Sequence, residues 1–108
     1  MSAVIYQWHP EVIADFRELP EDLRVAYLEQ IEAVKADPKL GEHLDRRAST
    51  GDLSAYRKVK FGHDTPRGPS HRIVYQLLPD SYTPSRFRVI AVRSRADVYN
   101  TAARRLQE

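Results

Sequence analysis

The alternation of apolar and polar residues over positions 4–38 predicts one strand followed by two helices. Residues 4–8 are rich in β-branched and aromatic side chains, which is typical of a strand, and Pro10 follows this run. Two sets of apolar residues then recur at helical spacing on either side of Pro20, namely Val12, Phe16 and Leu19, and then Leu23, Tyr27, Ile31 and Val34. Pro38 ends the second helix, because the residue before a proline avoids the α region. The two helices are expected to form an antiparallel hairpin.

The remaining residues predict three strands and a final helix. Residues 39–55 are polar and indicate an irregular connection, and residues 62–70 hold two Pro and two Gly, which is typical of a loop. The strand-like runs are residues 56–61, 71–78 and 87–93, and residues 97–106 show helical spacing. Helices followed by strands favour an α+β fold. We expect the N-terminal strand and the helical hairpin to pack on one face of a four-stranded, mainly antiparallel sheet, with a short C-terminal helix and an open second face.

Composition limits the class of protein. At 108 residues, we expect one domain over residues 1–108. No apolar run approaches the ~20 residues that a membrane span needs, and the first residues show no export signal. We therefore expect a cytoplasmic protein without membrane contact. The chain has no Cys, and its four His are far apart in the sequence, so we expect neither a metal site nor a cofactor.

Charge is divided unevenly between the two halves of the chain. Residues 1–55 carry 6 basic and 11 acidic side chains, whereas residues 56–108 carry 11 basic and 4 acidic ones. A basic half within one small domain indicates a surface that faces a polyanion, most simply a nucleic acid. A solvated basic surface without any ligand is the alternative.

Alternation along the predicted strands places several cations on one surface. Val59 and Phe61 take the core side of their strand, so Lys58 and Lys60 share the opposite side. The apolar residues of the next strand leave Arg72 on that same surface. Like charges on adjacent strands destabilise a sheet, which favours a functional explanation. The alternative is that lysines at an exposed sheet edge only prevent aggregation.

Clustered lysines and arginines on a sheet can cleave RNA through the RNA's own 2′-hydroxyl. The protein must align the 2′-oxygen with the phosphorus, accept its proton, stabilise the phosphorane charge and protonate the leaving oxygen. A lysine among other cations can exchange the proton, because neighbouring positive charges disfavour an ammonium ion. Arginine binds phosphate oxygens with its planar fork, and tyrosine can stack on an unpaired base.

The order and spacing of these segments resemble the RelE/ParE superfamily of bacterial toxins. The resemblance rests on residues 56–61, 71–77, 89–92 and 97–99, and on the helical half at residues 19–38. Members similar to RelE are endoribonucleases that cut mRNA in the ribosomal A-site, and a cognate antitoxin neutralises them. The resemblance therefore implies a RelE-like fold, mRNA and the ribosome as partners, and an antitoxin protein.

The resemblance also assigns roles to single residues of this chain. Lys58 and Lys60 match the paired catalytic lysines, and Arg72 matches the phosphate-binding arginine. Arg95 matches the arginine of the leaving group or phosphate, and Tyr99 matches the tyrosine that stacks on a base. Further candidates for RNA binding are Arg57, Arg67, Arg88 and Arg93, of which Arg93 is also the alternative counterpart to Arg95.

Two other functions remain open at the level of sequence. Toxins resembling ParE act on DNA gyrase and typically lack the lysine–arginine set, so the presence of this set favours an endoribonuclease. The alternatives are a gyrase-directed toxin on the same scaffold, and a non-catalytic module that binds RNA or the ribosome.

Overall fold

A computed structural model describes residues 4–44, 46–47, 51–53 and 55–107 of the chain. Its elements, in chain order, are β1 Ile5–Trp8, α1 Val12–Glu18, α2 Glu21–Ala36, β2 Glu42–His43, β3 Arg46–Arg47, β4 Gly51–Asp52, β5 Arg57–Thr65, β6 Gly68–Leu78, β7 Arg86–Ser94 and α3 Val98–Leu106. The first strand, the two N-terminal helices and the C-terminal helix agree with the apolar spacing of the sequence. Within these ranges, no helix is both long and apolar enough to cross a membrane.

Five strands form the main sheet, in the order β1-β7-β6-β5-β2, and β3 pairs with β4 in a separate ladder. β1 runs parallel to β7, and the other neighbours in the main sheet are antiparallel. The α+β class is confirmed, but the sheet has five strands rather than the four predicted. The added strand is β2, in which Glu42 and His43 pair with Lys58 and Arg57. Two residues of a polar connection are enough to satisfy backbone groups at the outer edge of β5.

Residues 62–70 form the end of a long hairpin rather than the predicted loop. β5 continues to Thr65 and β6 begins at Gly68, so only Pro66 and Arg67 lie in the turn. Gly68 has a φ of +94° and Gly62 a φ of +103°, a region that L side chains rarely adopt. The strand register shifts between residues 61 and 64, next to Gly62. Gly62 and Gly68, which the sequence pattern assigns to a loop, therefore allow a bulge and a tight turn within one continuous hairpin.

The first hydrophobic core lies between the helical hairpin and one face of the sheet. Both helices contribute the apolar residues that their spacing predicts, namely Val12, Leu19, Leu23, Tyr27, Ile31 and Val34. The sheet contributes Val59, Phe61, Ile73, Tyr75, Leu77, Phe87, Val89 and Val92. Burial of each large apolar side chain of this kind stabilises a fold by roughly 1.5–3 kcal/mol. The predicted core side of β5 and β6 is therefore confirmed.

A second hydrophobic core lies on the other face of the sheet, under α3. Val74, Ile90 and Ala91 of the sheet pack with Val98 and Ala102 of α3, and all five are buried. Leu44 and Leu53 complete this core. The prediction of an open second face is therefore wrong at the centre of the sheet. β6 and β7 carry apolar residues on both faces, and α3 covers the second face.

Tyr75 joins the chain that follows α2 to the centre of the sheet. Its ring is fully buried, and its Oη donates a hydrogen bond to the carbonyl of Pro38 at 2.8 Å. The same oxygen accepts a hydrogen bond from the N–H of Gly41 at 2.9 Å. Burial raises the pKa of Tyr75 above its ordinary value. Gly41 is packed so tightly here that an added Cβ would lie 2.7 Å from Oη of Tyr75.

We predict that Tyr75→Phe lowers the free energy of unfolding by about 1–3 kcal/mol, because two buried backbone groups lose their partner. Tyr82→Phe is the matched control: the Tyr82 side chain is 97% exposed, so its loss of a hydroxyl should change stability by no more than about 0.5 kcal/mol. Denaturant unfolding of the three proteins measures the difference. Equal stability of the two variants would contradict the role assigned to Tyr75.

Candidate functional site

Three cations lie opposite one another on three neighbouring strands, and we call Lys60, Arg72 and Arg93 the cationic row. Lys60 of β5 pairs with Arg72 of β6, and Arg72 pairs with Arg93 of β7. Residues directly opposite in antiparallel strands have Cβ atoms about 4.5–5.5 Å apart. The register therefore brings three positive residues side by side, as the sequence predicts for Lys60 and Arg72.

Lys58 extends the cationic row along β5. It lies on the same face as Lys60, about 7 Å further along the strand by the usual rise per residue. The side chain of Lys60 is exposed and that of Lys58 is half-buried. Within the described ranges, neither lysine nitrogen takes part in a hydrogen bond or an ion pair. Both ammonium groups are thus available to an anion at this surface.

Arg72 lies deeper than a residue on an open surface would. It is 4% exposed, because its guanidinium folds back against its own strand. Nη1 donates hydrogen bonds to the carbonyl of Pro69 at 2.5 Å and to that of His71 at 3.0 Å, while Nε is buried without a partner. These bonds fix the guanidinium along its own strand, toward the turn of the β5–β6 hairpin.

Arg93 differs from the lysines because two carboxylates hold its guanidinium. Its Nε donates a short hydrogen bond to Asp97, and its Nη1 lies 3.2 Å from Oδ1 of Asp15. The hydrogen bond to Asp97 and the nearby charge of Asp15 raise the pKa of Arg93 above its ordinary value. The positive charge at this end of the row is therefore already balanced within the protein.

Arg95 and Tyr99 follow the cationic row directly in the chain. The N–H of Arg95 donates to the carbonyl of Ser70 at 2.9 Å, which fixes the backbone just beyond β7. The Arg95 side chain is half-buried and forms no hydrogen bond or ion pair with any residue that the structure describes. Tyr99 is the second residue of α3 and packs partly buried against the second core. Of Arg93 and Arg95, only Arg95 keeps an unbalanced charge.

The structure does not bring the other three predicted RNA-binding arginines to the row. Arg57 faces the helices, where its Nη1 donates to the carbonyl of Gly41 at 2.8 Å and its Nη2 contacts Asp80 at 3.2 Å. Arg88 lies opposite Gln76, four residues from Arg72 and so about 13 Å along β6. Arg67 lies in the turn of the β5–β6 hairpin.

Asp15 and Arg105 are buried charged residues that the sequence reasoning missed. They are 2% and 4% exposed, and Arg105 donates to both carboxylate oxygens of Asp15, at 2.6 and 2.8 Å. The hydrogen bonds to Asp15 raise the pKa of Arg105 above its ordinary value. A signal was present, because Asp15 lies three residues after Val12 and four before Leu19, on the apolar face of α1.

His71 is the histidine closest to the row in sequence, and it lies on the opposite face of the sheet. Its Nδ1 shares a hydrogen bond with Oγ of Ser70 at 2.7 Å, and its ring packs against Phe61. Burial, together with the nearby His63 and Arg72, lowers the pKa of His71. His71 is thus a neutral packing residue near pH 7 rather than a member of the cationic surface.

The groups collected at this surface suit a phosphodiester ligand. The two ammonium groups and the guanidinium of Arg95 can bind phosphate oxygens, and Tyr99 adds an aromatic ring in the first turn of α3. In the part of the chain that the structure describes, no group of three or more His, Asp or Glu residues is placed to hold a metal ion. The chemistry available from these side chains is therefore phosphate binding, proton exchange and base stacking.

Comparison with known proteins places the chain in a family of toxins. The family model described as the ParE toxin of the type II toxin–antitoxin system, parDE, matches residues 6–99. No curated protein matches the chain.

Solved structures of RelE proteins share the fold. A mutant of Escherichia coli RelE in the free state is 20% identical, with a TM-score of 0.63 over 96% of this chain and 98% of that one. The toxin–antitoxin complex RelBE2 from Mycobacterium tuberculosis gives 17% identity and a TM-score of 0.62, over 86% and 99% of the two chains. An archaeal RelE–RelB complex from Pyrococcus horikoshii gives 15% identity and a TM-score of 0.53, over 86% of this chain and 96% of that one.

We predict that His71 makes the fold less stable in mild acid. A histidine whose pKa is lowered by folding binds more protons in the unfolded state, so its contribution is complete above its ordinary pKa of 6.5 and is lost as pH falls below it. Denaturant unfolding between about pH 7.5 and pH 5 should show a smaller loss of stability for His71→Gln than for the wild type. Parallel pH profiles would contradict this prediction.

Proposed function

The chain belongs to the ParE toxin family of type II toxin–antitoxin systems. From the cations on its sheet, we propose that it is an endoribonuclease that cleaves mRNA on the ribosome without a metal. The observation that carries the proposal is the register of Lys60 and Arg72 on adjacent strands, with Lys58 on the same face. This set of residues is the one that the resemblance to RelE assigns to catalysis.

The proposed reaction uses the 2′-hydroxyl of the RNA as its nucleophile. One of Lys58 and Lys60, as its neutral amine, takes the 2′ proton, and the 2′-oxygen attacks the adjacent phosphorus. The bond from phosphorus to the 5′-oxygen breaks, which leaves a 2′,3′-cyclic phosphate on one fragment. The other lysine, as its ammonium ion, gives a proton to the departing 5′-oxygen. No water or cofactor enters this step, so the protein supplies alignment, proton exchange and positive charge.

The arginines and the tyrosine have distinct parts in this scheme. Arg72 is held by two backbone carbonyls, so its charge is fixed before the substrate arrives and needs no reorganisation as the phosphorane forms. Arg95 carries an unbalanced charge just beyond β7 and is the residue we assign to the scissile phosphate or the leaving oxygen. Tyr99 stacks on an adjacent base. Arg93 supports the site through its carboxylate partners rather than by binding RNA.

The proposal also covers the binding partners and the cellular location of the protein. Several of the structurally similar proteins are held in complexes with an antitoxin. We propose a cognate antitoxin for this chain, with mRNA and the ribosome as its targets in the cytoplasm. An acidic antitoxin segment complements the basic half of the chain by charge.

We predict that Lys60→Ala and Lys58→Ala lower the rate of RNA cleavage by about 10²–10⁴-fold, the usual contribution of general acid–base catalysis. Lys39→Ala is the matched control, because it removes the same charge from a lysine that lies over the ring of Tyr82, away from the row. Cleavage is measured on ribosome-bound mRNA by mapping 5′ ends, with and without a 2′-deoxy substitution at the scissile position. Cleavage that survives the deoxy substitution would contradict the mechanism.

A gyrase-directed toxin is the second candidate. The family model that matches the chain is described as the ParE toxin, and toxins resembling ParE act on DNA gyrase. Expression of the wild type and of Lys60→Ala in bacteria separates the candidates. Cut mRNA that is lost in the variant supports the ribonuclease. Accumulated DNA breaks with intact mRNA support gyrase as the target. Slowed translation without cleavage indicates a module that only binds RNA or the ribosome.

A further inference from the structure

Among the described residues, no strand pairs with the outer edge of the second half of β7. β1 ends opposite Val89, where the N–H of His9 donates to the carbonyl of Val89 at 2.8 Å. The next residue, Pro10, has no N–H with which to continue the ladder, and the chain turns into α1. The carbonyl of Ile90 and the N–H of Val92 are therefore left without a backbone partner on this side.

Asp15 and Arg105 occupy the place of the missing strand. Oδ2 of Asp15 accepts a hydrogen bond from the N–H of Val92 at 3.1 Å, and Nη1 of Arg105 donates to the carbonyl of Ile90 at 2.9 Å. The two side chains are joined to each other by a pair of parallel hydrogen bonds. Such a bidentate pair fixes orientation as well as distance. It links α1, on one face of the sheet, to α3, on the other.

The same carboxylate also reaches the beginning of α3. Oδ1 of Asp15 accepts a hydrogen bond from Arg93, and Arg93 in turn binds the carboxylate of Asp97. Asp97 immediately precedes α3, and its carbonyl accepts the N–H of Thr101 at 3.1 Å. Arg105 lies in the last turn of the helix. One buried carboxylate thus holds α3 near both of its ends.

The apolar contacts of α3 are too few to explain its position by themselves. The helix has nine residues; its fully buried apolar side chains are Val98 and Ala102, and Tyr99 and Leu106 are partly buried. Isolated helices shorter than about 12–15 residues are marginal in water. The ionic contacts at its two ends therefore contribute to where α3, and Tyr99 within it, lies on the sheet.

We infer that Asp15 is a positioning residue for the site: through Arg93 and Arg105 it fixes α3, and so sets Tyr99 and the chain that carries Arg95 against the lysines of the row. This inference rests on the proposed nuclease function and adds to it a residue on the opposite side of the sheet. Asp15 is 2% exposed and lies on α1, so it acts through its arginine partners and does not touch RNA.

The test compares Asp15→Asn with Glu18→Gln in the full chain. The first change removes the buried charge with almost no change of shape. The second removes the same charge from the exposed side of the same helix and is the control. Three quantities are measured for each protein: the single-turnover rate at saturating RNA, the KM, and the hydrogen exchange of backbone amides in α3 and in α2.

We expect Asp15→Asn to lower the single-turnover rate by about 10²-fold, because misplacement by about 1 Å has effects of that size. The KM should change far less, since the lysines that bind phosphate are not moved. Amides of α3 should exchange at least about tenfold faster while those of α2 keep their protection, as in a local opening. Glu18→Gln should match the wild type in all three measurements.

An unchanged rate in Asp15→Asn, whether or not α3 loosens, would overturn the inference. Equal loss of protection in α2 and α3 would also overturn it, because it would show a general loss of stability. If Asp15→Asn fails to fold, Arg105→Lys replaces it, because lysine keeps the charge but loses the paired hydrogen bonds, and the same readouts apply.

The wild-type control separates this inference from the function on which it rests. Absence of RNA cleavage by the wild-type chain overturns the nuclease proposal, and the positioning role with it. Cleavage by the wild type that is unchanged in Asp15→Asn overturns the positioning role alone. Loss of rate with a changed KM and intact α3 protection also counts against it, because it would place Asp15 in substrate binding.

Discussion

The burial of β6 and β7 on both faces is the constraint on which the rest of this structure depends. Their apolar residues alternate between a core under the helical hairpin and a core under α3. Charged side chains are consequently excluded from the middle of these strands. Lys60, Arg72 and Arg93 lie opposite one another toward one end of these strands, and this end of the sheet becomes the candidate site.

The basic side chains of residues 56–108 fall into two groups, according to whether a carboxylate binds them. Arg57, Arg93 and Arg105 each bind an aspartate, so their charges are balanced and their positions are fixed. Lys58, Lys60 and Arg95 form no such pair within the described ranges. A phosphodiester would therefore meet the second group, while the first group supports the backbone around it. Net charge alone does not reveal this division, because both groups count equally in it.

The separation of roles also explains how a cluster of like charges is tolerated. Arg72 donates to two carbonyls of its own hairpin, which partly offset its charge, and Arg93 is neutralised by Asp15 and Asp97. The repulsion that remains falls on the flexible lysines, which can extend toward water. The chain can thus keep a positive surface without a comparable loss of stability in its core.

The sequence by itself determined the helical hairpin, the α3 helix, the inward side of β5 and β6, and the shared face of Lys58, Lys60 and Arg72. These features follow from local periodicity, because a helix or strand exposes residues at fixed intervals. Only the tertiary structure decided that Arg57 binds Asp80, that α3 covers the second face, and that Asp15 pairs with Arg105. The reason is that Asp15 and Arg105 are 90 residues apart, and a buried ion pair forms only where folding brings two distant positions together out of water.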